Sequence, residues 1–498
     1  MTASARAVAP AGMPAPRAER FPYKWKLLVS VIFGVFMSTL DTTAVNVAFP
    51  TLRLEYGATL HEAQWIVSIY VLALGIATPV AGFLADRYGI KRIYVTGLAI
   101  FVVASMLAGL APTLGTLVAA RALKGIGGGL AMPCATAMLF RGFEKKELGF
   151  ALGIFGLALL FAPALGPVLA GVLIDHGHWR WIFFINVPIG AVGIVLASRF
   201  LHERRAARVP SWDGAGLALA TTGFGSLLYA ASMVTDRGWG SVHVIGAFVL
   251  GAMALAGLAV VELRSADPLL DLRLFRHRTF LVATIVGYVT VVAFFGAEFL
   301  LPVYLQVVRG FSAVQAGMAL LPLALGAAIT MPIAGKIYDR IGPRPLVVAG
   351  FTLLLYNTWS LAHLTASTSF KFILVLMAVR GLALGLAVQT PFTVALASVP
   401  DEATPRASSL VISTRLAVQA IGVAVLATLL ASALPGSLPA ADRASIAAGY
   451  LTGFGRAYGL TFGLALGALA LGFLLPGWPS AWHPVATEPA ESHAREAI

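Results

Sequence analysis

Charged side chains are scarce in this sequence. Of its 498 residues only 11% are Asp, Glu, Lys or Arg, whereas 59% are hydrophobic. A typical soluble domain carries about 25% charged residues, so this composition excludes an ordinary water-soluble globule. The chain holds more apolar surface than a soluble core can bury, and the sequence therefore predicts a protein that crosses a lipid bilayer many times.

Cysteine is also scarce, because Cys134 is the only one. A single cysteine excludes an intrachain disulfide and a thiolate metal cluster. The motifs that mark a nucleotide loop, a zinc protease helix or a nucleophilic serine elbow do not occur, which argues against an enzyme and against ATP as the energy source. His176 and His178 are too few for a metal site, so neither a metal nor a cofactor is expected.

Basic residues outnumber acidic ones, and the formal net charge is +13. They are not gathered in one patch, so nucleic acid is not an expected partner. Of the 35 Lys and Arg residues, 24 flank apolar segments on one side, 7 lie on the other side, and 4 lie inside the segments. Because basic flanks stay in the cytoplasm, both termini are predicted to be cytoplasmic. Residues 1–20 contain no apolar core, so no cleavable signal peptide is expected.

About fourteen apolar segments reach the roughly 20 residues that a spanning helix needs. The sequence therefore predicts an all-α polytopic membrane protein with fourteen spans. These segments lie at 26–50, 63–85, 92–111, 114–139, 149–174, 180–201, 213–235, 241–262, 279–305, 313–337, 343–365, 371–397, 407–433 and 449–475.

One motif, Gly-x-x-x-Asp-Arg-x-Gly, occurs twice, after the second and after the tenth of these segments. Its glycines suit close helix packing and a tight turn. Asp86 in the first copy can accept hydrogen bonds from helix N-terminal amides or pair with Arg87 or Lys91, and such contacts can hold one orientation of two domains. The alternative is a loop that serves only membrane topology. The residues assigned to this conformational role are Gly82, Asp86, Arg87, Gly89, Arg92, Asp339 and Arg340.

The duplication predicts two six-helix bundles with two further helices between them, as internal repeats in transporters do. A fainter repeat supports it, because Arg121 and Pro133 in the fourth segment match Arg380 and Pro391 in the twelfth. The predicted regions are an N-terminal tail at 1–25, a first bundle at 26–201, two inserted helices at 202–278, a second bundle at 279–475 and a C-terminal tail at 476–498.

Two acidic residues lie well inside predicted spans. Asp41 in the first span is expected to face the bundle interior, where it either carries a proton or is a structural carboxylate paired with an arginine. Thr42 and Asn46 extend a polar stripe beside it. Glu298 has aromatic neighbours, which would favour its neutral form and suit proton exchange. The alternative for Glu298 is a solvated position at the outer mouth.

Two basic residues share one face of the fourth span. Arg121 and Lys124 are three residues apart, so both project from the same side of a helix. Asp41 is the expected counter-charge for one of them, and a substrate anion or water could serve the other. Alternatively, Lys124 extends toward water and has no direct role. The predicted substrate cavity comprises Thr42, Asn46, Trp65, Tyr70, Lys124, Phe294, Gln306 and Gln389.

Several stretches together resemble the major facilitator superfamily, specifically its fourteen-helix drug:proton antiporter branch. Residues 40–50 resemble the first-helix motif of the branch, and 82–92 match the superfamily's loop motif. Residues 162–171 are similar to the antiporter motif of the fifth helix, with alanine at two positions where the family usually has glycine. Residues 178–190 and 272–280 are characteristic of the branch.

The resemblance implies alternating access by rocking of two bundles, with proton influx driving export. It gives Asp41 the proton-coupling role and Arg121 the tuning of that acid, and it makes Gly166 and Pro167, followed by Gly171, a hinge between the bundles. Lys124 departs from the family pattern, which commonly has glutamine there. This extra cation argues against simply transferring a preference for cationic drugs.

The sequence therefore predicts a multi-pass protein of a bacterial inner membrane. We expect a monomer that exchanges protons for lipophilic or amphipathic small molecules, with the lipid bilayer as its other partner. A periplasmic adaptor is left open. The alternatives are an exporter dedicated to one metabolite or amino acid, and a receptor or scaffold that no longer transports.

Overall fold

The computed structural model describes residues 22–144, 146–205, 209–296, 300–433 and 443–476. Regular structure in these ranges is entirely helical. Eighteen α-helices are present: α1 Tyr23–Glu55, α2 Leu60–Tyr88, α3 Ile90–Gly109, α4 Leu114–Gly142, α5 Leu148–Asp175, α6 Trp181–Phe184, α7 Asn186–Phe200, α8 Gly214–Arg237, α9 Val242–Arg264, α10 Arg278–Val291, α11 Leu300–Val303, α12 Ala313–Met318, α13 Leu321–Ile341, α14 Pro343–Ala362, α15 Phe370–Ala387, α16 Gln389–Ala397, α17 Thr404–Ala431 and α18 Arg443–Gly472.

Twelve helices in the described ranges are long and apolar enough to cross a membrane, fewer than the fourteen spans expected from the sequence. The two remaining predicted segments, 149–174 and 279–305, contribute only shorter apolar stretches, Leu148–Leu159 in the first part of α5 and Arg278–Phe294. The second of these is irregular because α10 runs into a π-helical turn at Val292–Gly296. Both helices predicted between the repeats, α8 and α9, belong to the twelve.

The first half is built around α4, which packs against α2 and α3, while α1 packs against α5 and α7. Glycines on α4 explain the close approach of its neighbours. A β-carbon on Gly125 would lie 2.4 Å from the carbonyl oxygen of Tyr70, and one on Gly127 would lie 2.6 Å from that of Gly97. Small residues at such contacts let main chains meet, which is how helices associate in lipid.

The second half repeats this plan with α15 packed against α13 and α14, and α14 packed against α18. Here a β-carbon on Gly381 would lie 2.2 Å from the carbonyl oxygen of Leu323. The span that corresponds to α4 is divided into α15 and α16 at Val388. Equivalent helices thus use glycine contacts in both halves, as expected of a duplication.

The two halves meet along two seams, α2 against α17 and α5 against α13. Helix α8 of the inserted pair contacts both α2 and α17. Its Tyr229 ring stacks on Trp65 of α2 at 6.3 Å between centroids, and Trp239, just after α8, donates a hydrogen bond of 2.7 Å to Oγ1 of Thr428 on α17. The inserted helices are therefore tied to both halves.

Candidate functional site

A buried group of charges occupies the interior of the first half. We call Asp41, Arg121, Lys124 and Asn186 the charge cluster. Oδ2 of Asp41 accepts a hydrogen bond from Arg121, and Oδ1 accepts from Nζ of Lys124 at 2.5 Å and from Nδ2 of Asn186 at 3.1 Å. The exposed fractions of Asp41, Arg121 and Lys124 are 1%, 1% and 0%. One carboxylate therefore serves two cations.

Aromatic rings and a main-chain carbonyl hold the two cations in place. Nε of Arg121 donates to the carbonyl oxygen of Ile66 at 2.8 Å, and its guanidinium lies 4.4 Å from the centroid of the Tyr70 ring. Nζ of Lys124 lies 4.8 and 5.2 Å from the ring centroids of Phe101 and Phe183. Cation–π contacts are strongest when desolvated. The alternative in which Lys124 extends into water is wrong, because its side chain is fully enclosed.

The formal charge of the cluster is +1, because one carboxylate faces two basic groups. Breaking a buried ion pair by removing one partner leaves an uncompensated charge, which is strongly unfavourable. Protonating Asp41 in this arrangement would leave both cations without an anion. Protonation of Asp41 would therefore require a compensating change, such as movement of a cation toward water, arrival of an anion or loss of a proton from Lys124.

The second half has a related arginine with a different setting. Nη1 of Arg380 donates to Oδ1 of Asn357 at 3.0 Å, and Nη2 donates to the carbonyl oxygens of Ala293 and Phe294 at 2.7 and 3.0 Å. Both carbonyls belong to the π-helical turn after α10, where the helical bonding pattern shifts and acceptors become available. Glu298, the other predicted proton carrier, lies outside the described residues.

The predicted cavity residues have different surroundings. Tyr70 is buried, and its hydroxyl is 2.7 Å from Oγ of Ser38, so it supports the charge cluster. Asn46 on α1 and Gln306 are exposed. Thr42 is half-buried and donates to the carbonyl oxygen of Ser38 within its own helix.

Three further members of the predicted cavity lie against other elements. Trp65 packs on the inserted helix α8, as described above. Phe294 is 2% exposed and lies beneath Arg380, with 5.4 Å between the guanidinium carbon and the ring centroid. Gln389 lies beside Gly156 of α5, near the seam with α13.

The first Asp-Arg motif joins the two halves, because Asp86 pairs with Arg406 and not with Arg87 or Lys91, whose side chains bind the carbonyl oxygens of Pro210 and Ser198. Oδ2 of Asp86, at the end of α2, accepts from Nε of Arg406 on α17 at 2.8 Å. The amide of Gly82 donates to Oγ of Ser409 at 2.7 Å, and a β-carbon on Gly82 would lie 2.4 Å from the carbonyl oxygen of Pro405. We call this contact between α2 and α17 the first latch.

The second motif makes an equivalent contact with different chemistry. The carboxylate of Asp339 accepts from the amides of Gly149 and Phe150, at 2.9 and 3.1 Å, and so caps the N-terminus of α5. Free amides and the helix dipole favour a carboxylate there. A β-carbon on Gly335 would lie 2.2 Å from the carbonyl oxygen of Gly149. We call this contact between α13 and α5 the second latch.

Both latches lie at one end of the bundle. The segments that lead into α5 and α17 are joined there, because Nε of Arg141 donates to the carbonyl oxygen of Asp401 at 2.8 Å. We call this the latch end. Gly89 and Gly342 make the turns after the two motifs with φ of +106° and +81°, a backbone region open mainly to glycine.

The remaining motif residues border these turns. Arg87 donates to the carbonyl oxygen of Pro210 at 2.6 Å, ahead of α8. Nε of Arg92 lies 3.8 Å from the carboxylate of Glu203. Arg340 is exposed. The motif therefore contacts the inserted segment as well as the other half.

The fifth-helix residues Gly166, Pro167 and Gly171 were predicted to form a hinge between the bundles. A β-carbon on Gly166 would lie 2.1 Å from Oγ1 of Thr43 on α1, so Gly166 packs within the first half. The glycines of α5 that meet α13 are Gly149, Gly153 and Gly156. Gly171 has open space around it. The side chain of Pro167 is outside the described part of the structure.

Three functional residues were missed or undervalued in the sequence. Asn186 donates to Asp41, and a buried amide in a span is the one sequence signal that points to it. Arg406 resembles any other basic flank in the sequence, because nothing local links it to Asp86. Asn357 binds Arg380 and gave no pattern. Within the described ranges, no three His, Cys, Asp or Glu side chains come together as metal ligands would.

The helical architecture and the latches are those of a duplicated membrane carrier, and comparison with known proteins agrees. The family model described as Major Facilitator Superfamily matches residues 31–423. The chain therefore belongs to the major facilitator superfamily, a family of transporters and not of enzymes.

Two similar proteins are named for drug resistance. The chain is 32% identical over 402 residues to the tetracenomycin C resistance and export protein of Streptomyces glaucescens, covering 81% of this chain and 75% of that protein. It is 31% identical over 430 residues to the multidrug resistance protein B homolog of Mycobacterium tuberculosis strain H37Rv, covering 84% and 79%. The fold also matches the human organic anion transporter MFSD10, with a TM-score of 0.63, 16% identity, and coverage of 91% of this chain and 100% of that one.

Proposed function

We propose that this protein is a proton-coupled antiporter that exports lipophilic or amphipathic small molecules by alternating access. The observation that carries the proposal is the charge cluster. An ionised acid inside a spanning helix is costly, and such residues usually mark ion or proton paths. Asp41 is enclosed and fully engaged by Arg121 and Lys124, so a change in its protonation must rearrange the cluster.

Fourteen spans in a six, two, six layout belong to the same proposal. Helix α5 has 28 residues, about 42 Å at 1.5 Å per residue, which exceeds the roughly 30 Å hydrocarbon core. Counting it and the irregular segment that begins with α10 adds two crossings to the twelve. The bundles then correspond to 26–201 and 279–475, with 202–278 between them, and both termini are cytoplasmic.

The latches supply the conformational side of the proposal. Each joins the end of one helix in one half to the start of a helix in the other, and each depends on one aspartate with few partners. Both can break as units, which gives the halves two discrete arrangements rather than a continuous range. The positive-inside count assigns the latch end to the cytoplasm, so this structure represents a state closed on that side.

In the proposal, the charge balance of the cluster links protonation of Asp41 to the arrangement of the two halves. With the latches closed, Asp41 binds both cations. A proton entering from the opposite side neutralises Asp41 and releases one cation, and Lys124 is the one that carries no main-chain hydrogen bond among the contacts described above. Only a conformation that hydrates or pairs the released cation can accommodate this, so protonation favours a different arrangement of the halves.

Substrate character follows from the relatives' names and from the surplus cation. The relatives named for tetracenomycin C export and multidrug resistance support lipophilic substrates. The cluster's net positive charge supports tolerance of neutral and anionic ones. We expect Lys124→Gln to lower the transport rate of an anionic dye several-fold relative to a neutral dye of similar size. Equal effects on both dyes would remove Lys124 from substrate selection.

Proteoliposomes with an imposed pH gradient provide the central test. The measurements are export of neutral, anionic and cationic lipophilic dyes and substrate-dependent proton movement. Asp41→Asn is expected to insert but to lose coupled transport, whereas Glu55→Gln, an exposed acid on the same helix, is expected to retain it. Full coupling in Asp41→Asn would refute the mechanism. Transport confined to one metabolite would instead indicate a dedicated exporter, and absence of flux in the native chain a non-transporting receptor.

A further inference from the structure

Two acids that play no part in this transport mechanism meet where α8 and α9 come together at the latch end. Asp213 caps the N-terminus of α8, with Oδ1 accepting from the amide of Gly216 at 2.6 Å. Glu262 lies in the last turn of α9 and is 1% exposed. The other oxygen of Asp213 and both carboxyl oxygens of Glu262 are buried and make no close hydrogen bond among the described residues, although the backbone amides of Leu269 and Leu270 face the Glu262 carboxyl group.

The unpartnered oxygens point into one gap. A β-carbon on Gly216 would lie 2.3 Å from Oδ2 of Asp213 and 2.8 Å from Oε1 of Glu262. Two ionised carboxylates this close repel each other, and because Glu262 is the more deeply buried of the two, the repulsion favours a proton on Glu262. That proton also supplies a hydrogen bond that the buried oxygens otherwise lack.

We propose that Glu262, packed against Asp213, binds a proton separate from that of Asp41 and senses pH at the latch end; we call the two residues the acid pair. The proposal goes beyond antiport itself, since neither residue lies in the charge cluster. No third acid or histidine joins them within the described ranges, so the pair lacks the ligand number that a metal ion requires.

The acid pair is physically attached to the first latch. Arg87, next to the latch residue Asp86, donates to the carbonyl oxygen of Pro210, and its guanidinium carbon lies 5.8 Å from the centroid of Trp212. Trp212 also meets Phe83 of α2 edge to face at 5.8 Å. The residues immediately before Asp213 are therefore held by the same helix end that carries the latch.

Charges on the surrounding elements are already engaged. Arg406 of α17 acts electrostatically on Glu262 but bonds Asp86. Arg273 donates to the carbonyl oxygens of Leu263 and Ser265. Asp267 and Asp271, in the segment after α9, accept from Ser211 and from the amide of Arg273. The acid pair thus has no cation of its own in an ion pair within the described residues.

Loss of the proton from Glu262 therefore acts on the first latch. It places a second negative charge near Arg406, which then divides its attraction between Asp86 and the acid pair. The latch weakens when the latch end becomes alkaline and holds when it becomes acidic. A proton at this site thus biases the conformation from the side opposite to substrate release.

Infrared spectroscopy of the purified full chain in nanodiscs tests the proton directly. The native protein should show a protonated carboxylic C=O band that titrates above the range of exposed carboxyls and that disappears in Glu262→Gln. Asp236→Asn is the matched control, because Asp236 is an exposed acid at the other end of α8. An unchanged spectrum in Glu262→Gln would overturn the proposal. So would the absence of the protonated C=O band at every pH together with carboxylate bands that respond to sodium or potassium.

Spin-label distances test the effect on the latch. Labels at Tyr88→Cys and Glu402→Cys, both exposed positions, would flank the first latch in a Cys134→Ala background. The distance distribution should shift to longer values as the pH rises, and Glu262→Gln should remove that shift while Asp236→Asn keeps it. A pH response identical in all variants would overturn the coupling. Neither experiment uses a substrate or Asp41, so its result is independent of the antiport proposal.

Discussion

Neutralising Asp41 should destabilise the protein, and removing one of its cations as well should restore much of the loss. Asp41→Asn raises the formal charge of the cluster from +1 to +2 in a fully buried site. Leaving buried charge uncompensated costs about 3–5 kcal/mol. The double variant Asp41→Asn with Lys124→Gln returns the charge to +1 and leaves Arg121 its hydrogen bond to Ile66.

This cost can be converted into a melting shift. Unfolding entropy is about 2.1 cal/mol/K per residue. A loss of about 4 kcal/mol then lowers the midpoint by about 8 °C if one half unfolds as a unit, and by about 4 °C if the whole chain does. The double variant should recover at least half of that shift.

The chain contains its own reporter for this measurement. Cys134 is the single cysteine and is 1% exposed, so a thiol-reactive fluorophore labels it only when the first half opens. Thermal ramps in detergent should rank the native protein first, the double variant second and Asp41→Asn last. Glu55→Gln serves as the control and should match the native midpoint.

Two outcomes would refute the reasoning. If Asp41→Asn melts with the native protein, the carboxylate does not offset the two cations. If the double variant melts with Asp41→Asn, the loss comes from packing and not from charge. The double variant is also useful in transport assays, because it should be folded and charge-matched yet unable to couple protons.

Two further predictions concern the latches. Gly335→Val should force α13 and α5 apart by about 1 Å or more, because its β-carbon would sit 2.2 Å from a main-chain oxygen, well inside normal contact; spin-label distances across the second latch should lengthen and transport should slow at least tenfold. Arg406→Ala should leave Asp86, which is 4% exposed, without its cation, and should lower the thiol-labelling midpoint by several degrees, with partial recovery when Asp86→Asn is added.

Each of these has a matched comparison. Gly317→Val introduces the same side chain where nothing lies within 4 Å and should leave distances and transport unchanged. Normal transport in Gly335→Val would mean that the second latch need not close. For Arg406, the absence of recovery in the double variant would show that the arginine acts by packing rather than by pairing with Asp86.

The sequence indicated the helical class, the duplication and three of the four residues of the charge cluster, but not Asn186. Helical spacing placed Arg121 and Lys124 on one face, and the cost of a buried carboxylate made Asp41 the expected partner of one of them, whereas the structure shows it paired with both. Spacing on one helix cannot tell whether a lysine side chain turns inward or reaches water. That depends on Phe101 and Phe183, which close over it from other helices.

Contacts between distant segments could not be derived in the same way. Asp86 and Arg406 are 320 positions apart, and no local pattern distinguishes Arg406 from other basic flanks. Gly166 illustrates a related limit. A glycine in a span indicates that another helix comes close, but it does not identify that helix. For Gly166 the neighbour is Thr43 of α1, in the same half. The span count depended on hydropathy alone, which does not register the π-helical turn at Val292–Gly296.

Helix α8 makes the two seams unequal. It packs against both α2 and α17 and so covers one junction between the halves. Within the described ranges, neither inserted helix packs in the same way on the junction of α5 and α13. The two junctions between the halves therefore differ in their lipid-facing surroundings, although the halves themselves repeat one plan.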